Sequence, residues 1–397
     1  MGIIQVVEKQ PNGIQIKVVG VGGAGNNAIS HMLQKGLHGV ECVCANTDAQ
    51  ALQRMQGSKI LQLGQSGLGA GGIPEAGRDA AEGDIDKIRD MLDGAQMIFV
   101  TAGMGGGTGT GAAPVIARIA REMGVLTVGV VSRPFKFEGT RRAKIAEEGI
   151  AELKQNVDSL IVVLNEKLIE VHGQDITQKE AFKAADDVLC GAVSGIAEII
   201  NCPGEINVDF EDVKSVMSEM GVAMMGTAVA SGHDRAVEAA KRAIECPLLE
   251  GINLRGGRGL LVNITASPDT LRMSETEKVM STISQFADPD ANAKFGSIYD
   301  ESMGDSMRVT VVVTGLEDAS SRQKKEITIV EEVISEEAME QSEMPLFKLH
   351  TGTDGRSIDY DEPSFVRRQN RQRMEAAFSR EASEQLDIPS FLRKQAD

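Results

Sequence analysis

From residue 14 to residue 164 the chain alternates short apolar runs with longer segments of helical periodicity. The apolar runs are residues 14–19, 42–46, 60–63, 97–102, 126–131 and 160–164, each short enough for a strand. Segments between them, such as 84–92 and 140–155, space apolar residues three and four apart, as in a helix that buries one face. This alternation predicts an α/β fold: a mainly parallel sheet covered on both faces, with a ligand site at the carboxyl ends of its strands. Residues 180–200 then form one long helical stretch, with Phe182, Ala185, Leu189, Val193 and Ile196 at helical spacing. Past Pro203 the pattern changes. Strands at 259–266 and 307–313, with helices near 234–244 and 276–286, predict a smaller α+β domain.

After Leu316 the composition shifts. Residues 331–343 hold six glutamates and no Lys or Arg, and Arg367, Arg368, Arg371 and Arg373 form a basic cluster. Few apolar residues lie between, so this stretch cannot bury enough surface to offset the entropy of ordering and reads as a disordered linker. The expected division is a flexible N-terminus 1–12, a nucleotide-binding domain 13–178, a connecting helix 179–202, an α+β domain 203–316, a disordered linker 317–385 and a tail peptide 386–397. The net charge of −17 argues against a general nucleic-acid binder. Five cysteines without C-x-x-C spacing point to a reducing compartment rather than a disulfide framework or zinc site. No apolar run reaches membrane-spanning length and residues 1–10 lack a signal-peptide core, so a cytoplasmic location is expected.

Two glycine runs sit at the ends of predicted strands. Gly20-Val21-Gly22-Gly23-Ala24-Gly25 follows the first strand and opens a helix at about Asn26, fitting G-x-G-x-x-G in a strand–turn–helix setting. Residues 103–111 hold six glycines in nine and lead into a helical pattern over 112–123, with Pro114 expected in its first turn. Glycines at this density let backbone approach a ligand, and the following helix turns its unpaired N–H groups toward an anion. A flexible linker does not sit between an apolar strand and a helix. The first run alone suggests a dinucleotide site with Asp48 as ribose partner, but Asp48 lies 28 residues beyond Gly20, later than that fingerprint expects. Two loops suit a triphosphate better, and neither contains the lysine of G-x-x-x-x-G-K-[ST].

Residues 103–111 resemble the phosphate-loop motif of the tubulin/FtsZ GTPase family. Further matches are Asn46-Thr47-Asp48-Ala49-Gln50-Ala51-Leu52, Gly67-Leu68-Gly69-Ala70-Gly71, Pro134-Phe135-Lys136-Phe137-Glu138-Gly139, Asn207-Val208-Asp209-Phe210-Glu211-Asp212-Val213 and Leu386-Asp387-Ile388-Pro389-Ser390-Phe391-Leu392-Arg393. The resemblance implies a Rossmann-like GTPase domain joined by a long central helix to a smaller α+β domain. It implies hydrolysis of GTP to GDP and phosphate, with Mg²⁺, in head-to-tail filaments of the bacterial division ring at the future septum. Gly23, Ala24, Gly25, Asn26 and Asn27 are then the first phosphate turn, with Asn27 reaching toward the nucleoside, and Gly107, Thr108 and Gly109 the second. Glu138 takes the ribose, Arg142 the phosphate side, and Asn165 the ribose or base. Without the resemblance, Glu138 and Arg142 make an ordinary i,i+4 ion pair worth about 0.3–0.5 kcal/mol.

Phe182 and Asp186, also i,i+4, share a helix face: a ring to stack on a base, and a carboxylate to accept from guanine N1–H and the 2-amino group together. Adenine lacks both donors. Asp209 and Asp212 stand near a helix start, where capping is the ordinary role of Asp. The resemblance instead implies that Asn207, Asp209 and Asp212 enter the next subunit's nucleotide site and polarise the attacking water. Two departures stand out: a shortened loop over Leu63-Gly64-Gln65-Ser66-Gly67, and Leu164 and Glu166 where the family commonly has proline and aspartate. Leu386, Ile388, Phe391 and Leu392 supply apolar anchors in the tail, for which the resemblance implies membrane-tethering division proteins of the FtsA and ZipA kind, with assembly regulators besides. An NAD(P)-dependent Rossmann oxidoreductase and a catalytically weak tubulin-like scaffold are the competing readings.

Overall fold

The computed structural model describes residues 13–316, apart from 38, 174, 202–205, 207, 220–221, 247–256, 287 and 289. Six parallel strands build the first half: β1 (Ile16–Val21), β2 (Val40–Asn46), β3 (Lys59–Gln62), β4 (Met97–Gly103), β5 (Leu126–Arg133) and β6 (Ser159–Leu164). Their spatial order is 3-2-1-4-5-6, so the chain reverses its direction of winding between β1 and β4. A crevice opens at such a reversal, at the carboxyl ends of the strands.

Every residue of β1 is buried, as expected of a strand covered on both faces. Ile16 and Val18 pack with α1 (Gly22–Gln34) and α8 (Gln178–Asn201) on one face. Val19 and Val21 pack on the other face with α3 (Pro74–Glu82), α4 (Ile85–Leu92), α5 (Thr108–Glu122) and α6 (Thr140–Asn156). Lys17 interrupts this run and is itself buried. Its Nζ donates to the carbonyls of Met91 (2.7 Å) and Asp93 (2.8 Å), satisfying the end of α4. The short α2 (Ala49–Leu52) and α7 (Asn165–His172) follow β2 and β6.

The predicted second domain continues the same sheet. β7 (Val222–Ser231) pairs with β6 at Leu160–Val222 and Ile161–Ala223, and β10 (Ser306–Leu316), β8 (Gly259–Ala266) and β9 (Asn292–Tyr299) extend the sheet in that order. β10 is antiparallel to both neighbours, and α10 (Arg235–Ile244) and α11 (Met273–Ser284) cover one face. α9 (Phe210–Met217) packs on β8 and β9. The long helix expected over 180–200 is α8, and Ala185, Leu189, Val193 and Ile196 are all buried along it.

Two helix starts correct the sequence reading. α1 begins at Gly22, not near Asn26, and α5 begins at Thr108, so Pro114 is its seventh residue and not in the first turn. Helix propensity penalises glycine by about 1 kcal/mol, which is why these segments read as loops. Packing overrides that preference: a Cβ on Gly25 would lie 2.4 Å from the Thr101 carbonyl oxygen, and one on Gly111 1.9 Å from that of Pro74. Only glycine allows these helices so close to β4 and α3.

Candidate functional site

At the crevice the two glycine segments touch. Gly22 leaves β1 with φ of 73°, and a Cβ there would stand 2.8 Å from the Gly109 nitrogen. Gly105 has φ of 95° and donates its N–H to Thr110 Oγ1 at 2.9 Å, which folds the second loop back on α5. A third segment completes the cleft. Gly67, Gly69, Gly71 and Gly72 all have positive φ, and Gly69 N–H donates to the Thr47 carbonyl at 3.1 Å. Gly23 and Ala24, Ala70 and Gly72, the turn from Gly106 to Gly109, and Arg142 line a cavity of about 180 Å³.

Both helices entering this cavity lack a side-chain cap and an acidic residue in the first turn. Their first N–H groups and positive dipole ends therefore remain available to an anion. The Thr108 hydroxyl is engaged with Thr47 Oγ1 at 2.6 Å, so its backbone is the part left for a ligand. Gly25 and Asn26 do not line the cavity. Asn26 is buried, with its amide nitrogen 2.8 Å from the Gly20 carbonyl and 3.2 Å from that of Gly22, and it pins the turn from inside. Asn27, in the second turn of α1, is exposed.

Around the rim, Glu138 Oε2 pairs with Arg142 Nε at 3.1 Å, and its Oε1 accepts from the Phe135 N–H at 2.9 Å. Glu166 accepts from the Lys136 N–H at 2.6 Å and meets its Nζ at 3.3 Å, fixing the 134–139 loop to α7. In sequence Glu166 stands out only as a departure from the family pattern; its tie to Lys136 depends on the fold. Asn165 starts α7, is 4% exposed, and its Oδ1 has no hydrogen-bond partner, a buried acceptor left open for a donor. Phe182 is 40% exposed and meets Phe135 edge-on at 5.3 Å between centroids, so the ring is braced yet open.

Asp186 is half-buried. Burial pushes its carboxyl up to about 6, helped by neighbouring Asp187 and opposed by His31. Partial burial raises the Asp187 carboxyl too, but Lys35 and His31, whose Nε2 lies 2.7 Å from Asp187 Oδ1, hold it below the ordinary value. The two adjacent acids are thus split in character: Asp187 is a tie between α8 and α1, and Asp186 is an unpaired carboxylate beside an open aromatic ring.

Asp209 is the N-cap of α9 and accepts from the Asp212 N–H at 2.7 Å, and Asp212 Oδ1 pairs with Lys294 Nζ at 2.6 Å. α9 rests on β8 and β9, and β8 is five strand spacings from β4, roughly 24 Å. Within one chain these acids do not meet the cavity. Asn207 and the tail anchors Leu386, Ile388, Phe391 and Leu392 lie outside the described residues. Asp48, the acid of the dinucleotide reading, caps α2 by accepting from Gln50 and Ala51, and it bridges Leu68.

Residues 15–173 match the Tubulin/FtsZ family, GTPase domain, and residues 221–317 the FtsZ family, C-terminal domain. Cell division protein FtsZ of Pseudomonas aeruginosa is 51% identical over 96% of this chain and 97% of its own. That of Coxiella burnetii is 48% identical over 99% of each. Among solved structures, an empty FtsZ dimer from M. jannaschii has 43% identity and a TM-score of 0.73, covering 77% of this chain and 89% of that one. CetZ2 from Haloferax volcanii, 24% identical with a TM-score of 0.66 over 82% of this chain and all of that one, shares the fold. None of these supports an oxidoreductase, and the chain belongs to the FtsZ family of tubulin-like GTPases, the cell division proteins.

Proposed function

We propose that this chain binds GTP across the three glycine segments and hydrolyses it at a site completed by the next subunit of a head-to-tail filament. The observation that carries this reading is the separation just described: two uncapped helix ends face one cavity, and the acid pair sits on a helix packed against β8, five strand spacings (roughly 24 Å) from β4. A contact between unlike faces of identical subunits propagates as a filament when its rotation does not close.

In this reading, backbone N–H groups of Gly23, Ala24, Gly107, Thr108 and Gly109 hold the phosphates, and Gly25 and Asn26 keep the first turn in shape. Arg142 supplies positive charge, held by Glu138, whose carboxylate also faces the ribose. Phe182 stacks on the base and Asp186 reads guanine. The open Asn165 Oδ1 accepts from the nucleoside, and Asn27 reaches toward it. Asn207, Asp209 and Asp212 orient and polarise the attacking water from the neighbouring subunit. Mg²⁺ accompanying the nucleotide would offset phosphate charge beside the backbone N–H groups and Arg142 that line the cavity.

The family matches support residues 13–178 and 203–316 as the two working halves joined by 179–202. Residues 317–385 serve as a leash for 386–397, which dock on membrane tethers of the FtsA and ZipA kind and bring cytoplasmic filaments to the division site at midcell. Assembly regulators act on the same polymer.

GTP turnover per molecule, measured against protein concentration, tests the shared site. Turnover should rise above a threshold concentration. Asp212→Ala should bind GTP but hydrolyse it poorly, and mixing it with Thr108→Arg should restore turnover wherever an intact acid loop meets an intact cavity. Activity linear in concentration down to isolated monomers refutes the shared site.

A further inference from the structure

We propose that Lys294 is a positioning residue for hydrolysis: it holds the Asp212 carboxylate in the orientation in which that group meets the neighbouring subunit's nucleotide. The proposal rests on the reading of Asp212 as half of a shared site. Lys294 Nζ lies 2.6 Å from Asp212 Oδ1, and both side chains are 35% exposed, so the pair is formed yet open to a docking subunit. Lys294 is the only charged residue of β9.

β9 is the bed on which the acid-bearing segment lies. Ser297 exchanges backbone and hydroxyl bonds with Ile206, at 3.1 and 3.3 Å. Gly296 lets Val208 come close, since a Cβ there would stand 3.2 Å from Val208 Cγ2. Asn292 Nδ2 donates to Ser215 Oγ at 3.2 Å, and Ser215 Oγ donates to the Asp212 carbonyl at 2.9 Å. Asn292 and Lys294, two apart on a strand, face the same side. The strand therefore fixes the backbone around Asp212, and Lys294 fixes its side chain.

The chemistry calls for such a tie. Asp209, Glu211 and Asp212 place three carboxylates in four residues, and Lys214 offsets only Glu211, at 3.8 Å. Like charges brought against a triphosphate repel it and one another. Asp209 Oδ1 is committed to capping α9. A free Asp212 side chain would move among staggered rotamers, and a misplacement near 1 Å can reduce rate by roughly 100-fold. Lys294 removes that freedom, offsets the charge, and engages Oδ1 while leaving Oδ2 for water.

The test uses the full chain with Lys294→Met, Lys294→Arg, Asp212→Ala and the double variant Asp212→Ala/Lys294→Met. Pelleted polymer is measured with a slowly hydrolysed GTP analogue, and turnover is measured with GTP at saturating protein. Lys294→Met should pellet as wild type does, with kcat about tenfold lower and KM little changed, and Lys294→Arg should restore most of the loss. The double variant should be no slower than Asp212→Ala alone. The proposal is overturned by wild-type turnover in Lys294→Met beside an inactive Asp212→Ala, with the shared site left standing. It is also overturned by a double variant slower than Asp212→Ala, or by lost polymer with unchanged turnover per unit of polymer. Normal turnover in Asp212→Ala refutes the shared-site reading itself.

Discussion

Asp186 offers a test in which stability and recognition move in opposite directions. Its carboxyl is raised from 3.8 to about 6, chiefly by burial. In the free protein the folded state therefore holds this proton more tightly than the unfolded chain does. The associated stability is full below the unfolded value and is lost as pH rises through about 6. Asp186→Asn removes that loss, so at pH 7 the nucleotide-free variant should melt at a higher temperature than wild type. Recognition has the opposite sign, because only the ionised carboxylate accepts from both guanine donors. Hydrogen bonds to a charged group contribute about 1.5–3 kcal/mol, or roughly 10- to 150-fold in affinity. Asp186→Asn or Asp186→Ala should lose GTP-over-ATP preference by that factor. In wild type, a group titrating near pH 6 is about nine-tenths ionised at pH 7 and about one-tenth at pH 5. The preference should then fall roughly tenfold between those pH values. Displacement of a fluorescent nucleotide from dilute, unassembled protein measures it, and the GTP/ATP ratio cancels protonation of the phosphates. A ratio that stays flat from pH 7 to pH 5, or that survives Asp186→Ala, refutes the assignment of base reading to this residue.

Two further outcomes follow from packing and from the tail. Gly111→Ala puts a methyl group into the Pro74 carbonyl, so it should destabilise the fold by about 1–3 kcal/mol or more in urea titrations, with GTP affinity falling as α3 and its glycine segment move. Wild-type stability would mean that α3 and α5 can separate freely. Truncation after Gln385 should leave GTP turnover and pelleting nearly unchanged while abolishing recruitment to vesicles bearing the membrane tethers, and undiminished recruitment would place attachment elsewhere.

The periodic signal carried most of the first half of the sheet, because strands buried on both faces read as apolar runs. β7 and β9 escaped it for two different reasons. β7 is rich in Ala and Met and has only three β-branched residues in ten, and β9 lies at the sheet edge with polar and small residues. At the site, the two glycine runs were legible as neighbouring backbone turns at the strand ends, and they line one cavity. The inward turn of Gly25 and Asn26 was not, because it depends on contacts with Thr101 and Gly20 from other points in the chain. Asp186 and Asp187 look alike in sequence. Only the positions of His31 on α1 and Lys35 at its C-terminal cap separate a tie from a free carboxylate.

The cavity proposed to take the phosphates is walled largely by glycine backbone. Gly107 and Gly109 have no side chain to exchange, and a Cβ at either would meet backbone within 3 Å. An inhibitor gripping those amides would leave the chain few escape routes, because point mutations alter side chains and spare the peptide groups. Resistance would then arise at Gly23 and Gly106, where a Cβ meets nothing within 4 Å, or at Arg142, Phe182 and Asp186, the residues proposed to read the natural nucleotide. Compounds that reach only the base end would meet replaceable residues, so durable binding favours chemistry that mimics the phosphates.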